Sequence, residues 1–302
     1  MAGTLYIVAT PIGNGEDITE RAKRILAEAH IVAAEDTRTT QKLFNMLGIR
    51  NKMVSNHKFN EKKQSDYLVS ELLKGKDVAI VSDAGTPCIS DPGHIIVNSA
   101  IINGIKVVGV PGASSAITAL SISGFNFVSF AFYGFFPRES EEIRESLKRL
   151  KVSGIGVSVF FESPKRIIKL MRIMAEELPD AKLCLCNDMT KIHEKIYRGT
   201  AFEVLRELEE NPNADKGEYT LVIKTEIEEV LNAEERQSIE SVLVDHIVKN
   251  GGTVKSAVQA LQKKYKGQIT RKEFYAAALN LKELMPAFFL SDTGGPDEGE
   301  IK

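Results

Sequence analysis

Leu5-Tyr6-Ile7-Val8-Ala9-Thr10-Pro11-Ile12-Gly13-Asn14-Gly15-Glu16-Asp17 opens on five apolar residues and runs into a bend of small, turn-forming ones. A helical pattern follows at once. Asp17 is expected to cap a helix from about residue 17 to 29, with Ala22, Ile25, Leu26 and Ala29 on one stripe. Strand, small-residue bend and amphipathic helix make one turn of an α/β unit. Further apolar runs predict strands over residues 31–34, 78–82, 107–110, 157–161, 182–186 and 219–223. Their near-continuous apolarity is that of strands covered on both faces.

Pro111-Gly112 closes the first group of strands, and the strand signals cease after Ile223 in the acidic stretch from Glu226 to Asn232. Beyond it the periodicity is helical. Ile239, Val242, Leu243 and Ile247 share one face, and Val254, Ala257, Val258 and Leu261 another. A capping box, Thr270-x-x-Glu273, starts a third helix through Phe274, Ala277, Ala278 and Leu281. The expected organisation is an α/β class with two α/β domains, 1–112 and 113–230, a helical extension over 231–290 and a disordered tail over 291–302.

Composition narrows the function. With 302 residues, 43% hydrophobic and 26% charged, the chain is an ordinary globular one. Runs such as Ile31-Val32-Ala33-Ala34 are too short to span a bilayer, and the first residues lack the pattern of a secretory signal, so no membrane is expected. Three cysteines form no disulfide framework, which suits a reducing cytoplasm. Cys184-x-Cys186 lacks the further ligands of a tetrahedral metal site, and no metal is expected. The net charge is only −2, yet seven Lys and Arg face a single acid between Arg38 and Lys63, and seven face one again between Lys249 and Tyr275. Such windows are commonly solvated helix faces; two together suggest an anionic macromolecular partner.

Chemistry concentrates in the bends. Pro11-Ile12-Gly13, Asp83-Ala84-Gly85-Thr86-Pro87 and Gly112-Ala113-Ser114-Ser115 all follow predicted strands. In an open sheet, ligands sit at the carboxyl ends of strands, where backbone approaches them closely. Gly13-x-Gly15 is followed by Ile18 where a dinucleotide fingerprint needs glycine, and no phosphate-binding loop motif is present. A small ligand held by backbone fits better than a triphosphate.

Five stretches then act together: VATPIGNGEDIT from Val8, AAEDTR from Ala33, VSDAGTPCISDPG from Val81, VPGASSAITALSISG from Val110 and FFESPKR from Phe160. In order and spacing they resemble the tetrapyrrole methylase superfamily, and within it the branch that methylates the ribose 2′-hydroxyl of a decoding-centre cytidine in 16S ribosomal RNA. The resemblance implies S-adenosylmethionine in a cleft between two α/β domains, usually in a homodimer. Carried over by position, Pro11, Ile12, Gly13, Asp83, Ala84, Ile89, Ser114 and Ser115 line the cofactor pocket, with Glu162 and Met189 from the second domain. Glu35 or Asp36 is the candidate base or substrate-orienting acid, with Arg38 on RNA phosphate; the plain alternative is an acidic N-cap beside a surface arginine. His57, Lys58, Lys255 and Arg271 are candidate RNA contacts. The chain departs from the family pattern at 56–61 and 187–191. Methylation of a tetrapyrrole on the same scaffold, a catalytically silent RNA-binding assembly factor and, more distantly, an NAD-dependent oxidoreductase are the rival expectations.

Overall fold

The structure, a computed structural model, describes residues 1–226, 238–265 and 269–284. The chain divides into two compact units, Met1–Ile227 and Glu228–Lys302.

The first unit holds two five-stranded sheets. One contains β1 (Thr4–Val8), β2 (Ile31–Ala34), β3 (Met53–Ser55), β4 (Val78–Val81) and β5 (Lys106–Val110), in the order β3-β2-β4-β1-β5. Every pairing is parallel, so all five carboxyl ends lie along one edge. The crossovers are α1 (Glu20–Glu28), α2 (Thr37–Leu47), α3 (Glu61–Leu73) and α4 (His94–Ile102). In β2 and β4 every residue is buried, as expected of strands covered on both faces. β5 departs from that expectation: Lys106 and Gly109 are exposed and Val107 and Val108 half-buried, because it is an edge strand.

α5 (Ser115–Ile122) leads to the second sheet, which contains β6 (Ala131–Phe135), β7 (Val157–Glu162), β8 (Lys182–Asn187), β9 (Lys195–Gly199) and β10 (Tyr219–Lys224) in the order β6-β7-β10-β8-β9. It is mixed: β10 runs antiparallel to β7 and β8, whereas β6 and β7 are parallel. α6 (Ser140–Val152), α7 (Ile167–Glu177) and α8 (Ala201–Glu210) complete this half, and Leu147, Leu170, Met174 and Val204 join Leu185 and Leu221 in its core. Cys184 and Cys186 are buried in an apolar cluster, their sulfurs 3.9 Å apart.

The expected start of the first helix is corrected. Residues Gly15–Asp17 form a 3₁₀ turn capped by Asn14, and Thr19 caps α1 by accepting the N–H of Ala22 at 3.1 Å. The stripe stands: Ala22, Ile25, Leu26 and Ala29 are all buried.

The second unit contains α9 (Ile239–Asn250), α10 (Val254–Lys264) and α11 (Arg271–Leu284). Val242, Leu243, Val258, Leu261, Phe274 and Leu281 form its core. The capping box is present: Thr270 N donates to Glu273 at 2.7 Å and Glu273 N donates to Thr270 at 3.3 Å. The tail expected over 291–302 lies outside the described residues, as do 231–237, 266–268 and 285–290 of the extension. No helix among the described residues is long and apolar enough to cross a membrane.

Candidate functional site

Three bends at the carboxyl edge of the parallel sheet are hydrogen-bonded to one another. Thr10 and Gly85 exchange both backbone bonds, at 2.9 and 3.0 Å, and the Thr86 hydroxyl donates to the Ala113 carbonyl at 3.1 Å. A Cβ on Gly112 would stand 2.9 Å from that of Ala9, so only glycine lets the third bend close on the first.

These bends face the second sheet across a cavity of about 440 Å³, within the roughly 300–1,000 Å³ of ligand clefts. Ile12, Asp83, Ala84, Ile89, Ser114, Ser115, Glu162 and Met189 all line it. Glu35 also lines it. Pro11 and Gly13 instead line an adjoining chamber of about 280 Å³, which shares Ile12, Asp83, Ala84 and Glu218 with the cleft. A Cβ on Gly13 would stand 2.5 Å from Lys191 Cγ, so the bend closes against the 189–191 segment.

The electrostatics are one-sided. Glu35, Asp83, Asp91, Glu162 and Glu218 line the cleft, and among the described residues no Lys, Arg or His does. Burial, then the neighbouring Asp91 carboxylate, pushes the Glu35 carboxyl above its ordinary range. Burial likewise raises Asp83 and Asp91. Glu162 is raised by burial although Ser163 N (2.5 Å) and the Arg166 guanidinium donate to its Oε1. Its buried Oε2 has no partner among the described residues. A pocket with surplus carboxylate and an unpaired acceptor suits a cationic ligand bearing donors and repels phosphates. That charge pattern speaks against a dinucleotide.

Glu35 and Asp36, adjacent in sequence, have separate environments. Asp36 caps α2, accepting the Arg38 N–H at 2.8 Å, and grips the exposed Arg38 guanidinium at 2.6 Å. The Arg38 hydrogen bonds hold its carboxyl down at about 2. Asp36 and Arg38 thus form the acidic cap with a surface arginine, and Asp36 is a poor proton acceptor near neutrality. Glu35 is the acid that faces the cleft. His57 is half-buried with an unpartnered Nδ1, Lys58 is exposed, and neither lines the cleft. Lys255 and Arg271 are exposed in the helical unit, Arg271 lying 5.5 Å from the Tyr275 ring centroid.

The structure adds Asp91, Phe135, Phe161, Glu218 and Tyr219 to the cleft walls. Asp91 and Phe161 lay inside stretches already noted, but nothing in their own residue type separated them from turn and core. No group of three or more His, Cys, Asp or Glu among the described residues is placed to hold a metal ion.

Residues 4–205 match the family of tetrapyrrole (corrin/porphyrin) methylases. The chain belongs to that family. Among its relatives is the ribosomal RNA small subunit methyltransferase I of Halalkalibacterium halodurans, 43% identical over 228 residues, 76% of this chain and 78% of that one. The proteins of the same name from Bacillus subtilis and Buchnera aphidicola are 39% and 37% identical, over 85% and 93% of this chain and 88% and 97% of theirs. Among solved structures, uroporphyrin-III-C-methyltransferase from Thermus thermophilus aligns with a TM-score of 0.51 at 20% identity, over 74% of this chain and 94% of that one. Diphthine synthase aligns at 0.57 and 15%, over 74% and 90%. At those identities the structural likeness establishes the methylase fold alone.

Proposed function

We propose that this methylase-family protein transfers a methyl group from S-adenosylmethionine to the ribose 2′-hydroxyl of a cytidine in small-subunit ribosomal RNA. The relatives named for small-subunit ribosomal RNA, at up to 43% identity over most of the chain, carry the reading. The cleft supports it: carboxylate walls with no cation among the described residues suit a donor that bears a sulfonium and an ammonium group. The two halves over 1–112 and 113–230 hold that donor between them, and the extension over 231–290 grips RNA.

The sulfonium supplies an activated methyl group, so the protein's work is alignment and proton removal. Glu162 Oε2 and the Ser114 and Ser115 edge anchor polar groups of the donor. Glu35 accepts the hydroxyl proton, and burial makes it a stronger proton acceptor than an ordinary glutamate. Phe135 and Phe161, packed edge to face at 5.7 Å, give the cleft an apolar wall that excludes water. Exposed cations such as Arg38, Lys58, Lys255 and Arg271 meet phosphates, which makes affinity fall with salt.

Association of two copies in the cytoplasm belongs to the same reading. The exposed aromatic stretch Phe127, Phe130, Tyr133 and Phe135 supports pairing, because apolar groups in such a run gain by being covered. Light scattering at micromolar concentration measures it.

The deciding experiment incubates the protein with labelled S-adenosylmethionine and assembled small subunits, naked 16S RNA or uroporphyrinogen, then maps ribose methylation by mass spectrometry. Label on a cytidine ribose is the expected result. Label on the macrocycle alone would overturn the reading in favour of tetrapyrrole chemistry. Tight donor binding with no transfer to any acceptor would make the protein a silent assembly factor.

A further inference from the structure

Phe59 is the most exposed aromatic side chain among the described residues, at 95%. Single exposed apolar groups are common on folded chains. Three observations set this one apart. Its turn is held in place by Asn60, whose Oδ1 accepts the His57 N–H at 2.8 Å. Asn60 N donates to the His57 carbonyl at 2.9 Å, and Asn60 Nδ2 donates to the Ser55 carbonyl at 3.1 Å. The His57 ring meets the phenyl edge to face at 6.1 Å. A ring held outward on a fixed turn loses little freedom when a flat group covers it.

The surroundings are cationic. Lys58, Lys62 and Lys63 are exposed, and none of them takes part in an ion pair among the described residues. The one acid of this window, Glu61, is 4% exposed and turned inward onto the N–H groups of Gly93 and Ile95. The outer face therefore carries uncompensated positive charge around an apolar ring. Its place in the fold is equally specific. Ser55 of β3 is in register with Ala34 of β2, and Asn56 N donates to the Ala34 carbonyl at 2.7 Å. The residue after Ala34 is Glu35, which lines the cleft. An RNA strand with a ribose at Glu35 would carry its neighbouring nucleotides past the end of β3.

We propose that Phe59 stacks an unpaired base beside the methylated nucleotide, with Lys58, Lys62 and Lys63 on the phosphates leading to it. The assignment rests on the methyl-transfer reading above and names a residue that tells an opened strand from a duplex, whose bases are already stacked. Proteins that hold single-stranded nucleic acid combine these two parts, an aromatic ring under a base and cations along the backbone. A protein partner would need a broader apolar patch than one ring.

The chain contains no tryptophan, so Phe59→Trp places a lone fluorophore on the turn. Its emission should be quenched by a cytidine-rich single-stranded oligoribonucleotide and stay nearly constant with a paired RNA duplex of equal length. Phe59→Ala should raise KM for assembled small subunits about tenfold, with kcat and the calorimetric Kd for S-adenosylhomocysteine within about threefold of the parent. The salt dependence of KM should match the parent's in Phe59→Ala and weaken in Lys62→Ala, because only the second removes a phosphate contact. An unchanged KM in Phe59→Ala overturns the assignment whatever the oligonucleotide does, and so does equal quenching by strand and duplex. A parallel loss of S-adenosylhomocysteine affinity overturns it by moving the effect to the donor cleft. Emission from Phe59→Trp that shifts with protein concentration alone overturns it by giving the ring to a second copy. A parent that neither binds RNA nor methylates subunits removes the broader reading, whereas an active parent with an indifferent Phe59→Ala removes only the stacking.

Discussion

Glu35 Oε2 accepts the backbone N–H of Asp83 at 3.4 Å, while Asp83 Oδ1 takes the N–H of Asp36 at 3.1 Å. The ends of β2 and β4 are thereby joined through two carboxylates that both face the cleft. Glu35→Gln keeps the shape and removes the proton acceptor, so turnover should fall about 10²- to 10⁴-fold with little change in S-adenosylhomocysteine affinity. Because burial raises the carboxyl in the folded chain, kcat/KM for the parent should rise with pH along a limb above the ordinary glutamate range. The same shift favours the protonated folded state. Its stabilising contribution is present below the ordinary glutamate value and lost as pH rises through the raised one. Glu35→Gln should therefore be slightly more stable than the parent to denaturant at pH 7. A higher turnover number in the variant would remove Glu35 from proton transfer.

Arg166 holds the buried Glu162 with Nε at 2.8 Å, and it also donates to the carbonyls of Phe136 and Pro137 at 3.2 and 3.1 Å. The Glu162 side chain is 1% exposed. Arg166→Met leaves that carboxylate without its countercharge, which should cost about 3–5 kcal/mol in denaturant unfolding at pH 7. Burial already raises Glu162, so the loss should grow from pH 5 to pH 8, as the uncompensated group ionises. An equal loss at both values would show that the guanidinium acts through the two carbonyls instead.

Glu61 is a buried carboxylate at the start of α3 that reaches across to another element. Its Oε1 accepts the N–H of Gly93 at 2.8 Å and of Ile95 at 3.1 Å, capping α4 from outside. The segment it anchors has Cys88 at φ 70° and Ser90 at φ 67°, left-handed values that need support from their surroundings. Ile89, Ser90 and Asp91 of that segment wall the cleft. Glu61→Ala should raise KM for S-adenosylmethionine about tenfold or more with a smaller change in kcat, and Glu61→Gln, which keeps the acceptor oxygen, should recover most of it. Equal effects of the two substitutions would point to the charge, not the cap.

The sequence made the central strands and the site bends legible because both carry strong local signals. β2 and β4 are apolar throughout, and bends rich in Gly, Pro and Ser follow β1, β4 and β5. Three of the four edge strands, β3, β6 and β9, escaped for a physical reason. β3 is three residues long, β6 carries Gly134 at φ 70° and a register shift between Phe132 and Phe135, and β9 places Lys195 and Arg198 in solvent. Short, bulged and charged strands hide their pattern, as edges do. Site residues from the second half were harder still. Tyr219 and Phe161 look like any core aromatic, and Glu61, followed by Lys62 and Lys63, looks like surface charge until the fold brings Gly93 to it. The separation of Glu35 from Asp36 was equally invisible, because it depends on Arg38 turning back to Asp36 and on Asp83 lying across the sheet.

The start of α1 tests how local such signals are. Asp17 and Thr19 are both good capping types two residues apart, and sequence alone favoured Asp17. In the structure Asp17 ends the 3₁₀ turn, and the Thr19 hydroxyl takes the Ala22 N–H, with Thr19 extended at φ −76° and ψ 149°. Ile18 at 6% exposure then packs beside Ala22 and Ile25, so the tertiary core selects which residue begins the helix. Thr19→Ala should lower stability in urea by about 1 kcal/mol, and Thr19→Ser should recover most of it. Asp17→Ala should change it by less than about 0.5 kcal/mol, since that side chain caps nothing. A larger loss at Asp17 than at Thr19 would return the helix start to the residue that the sequence favoured.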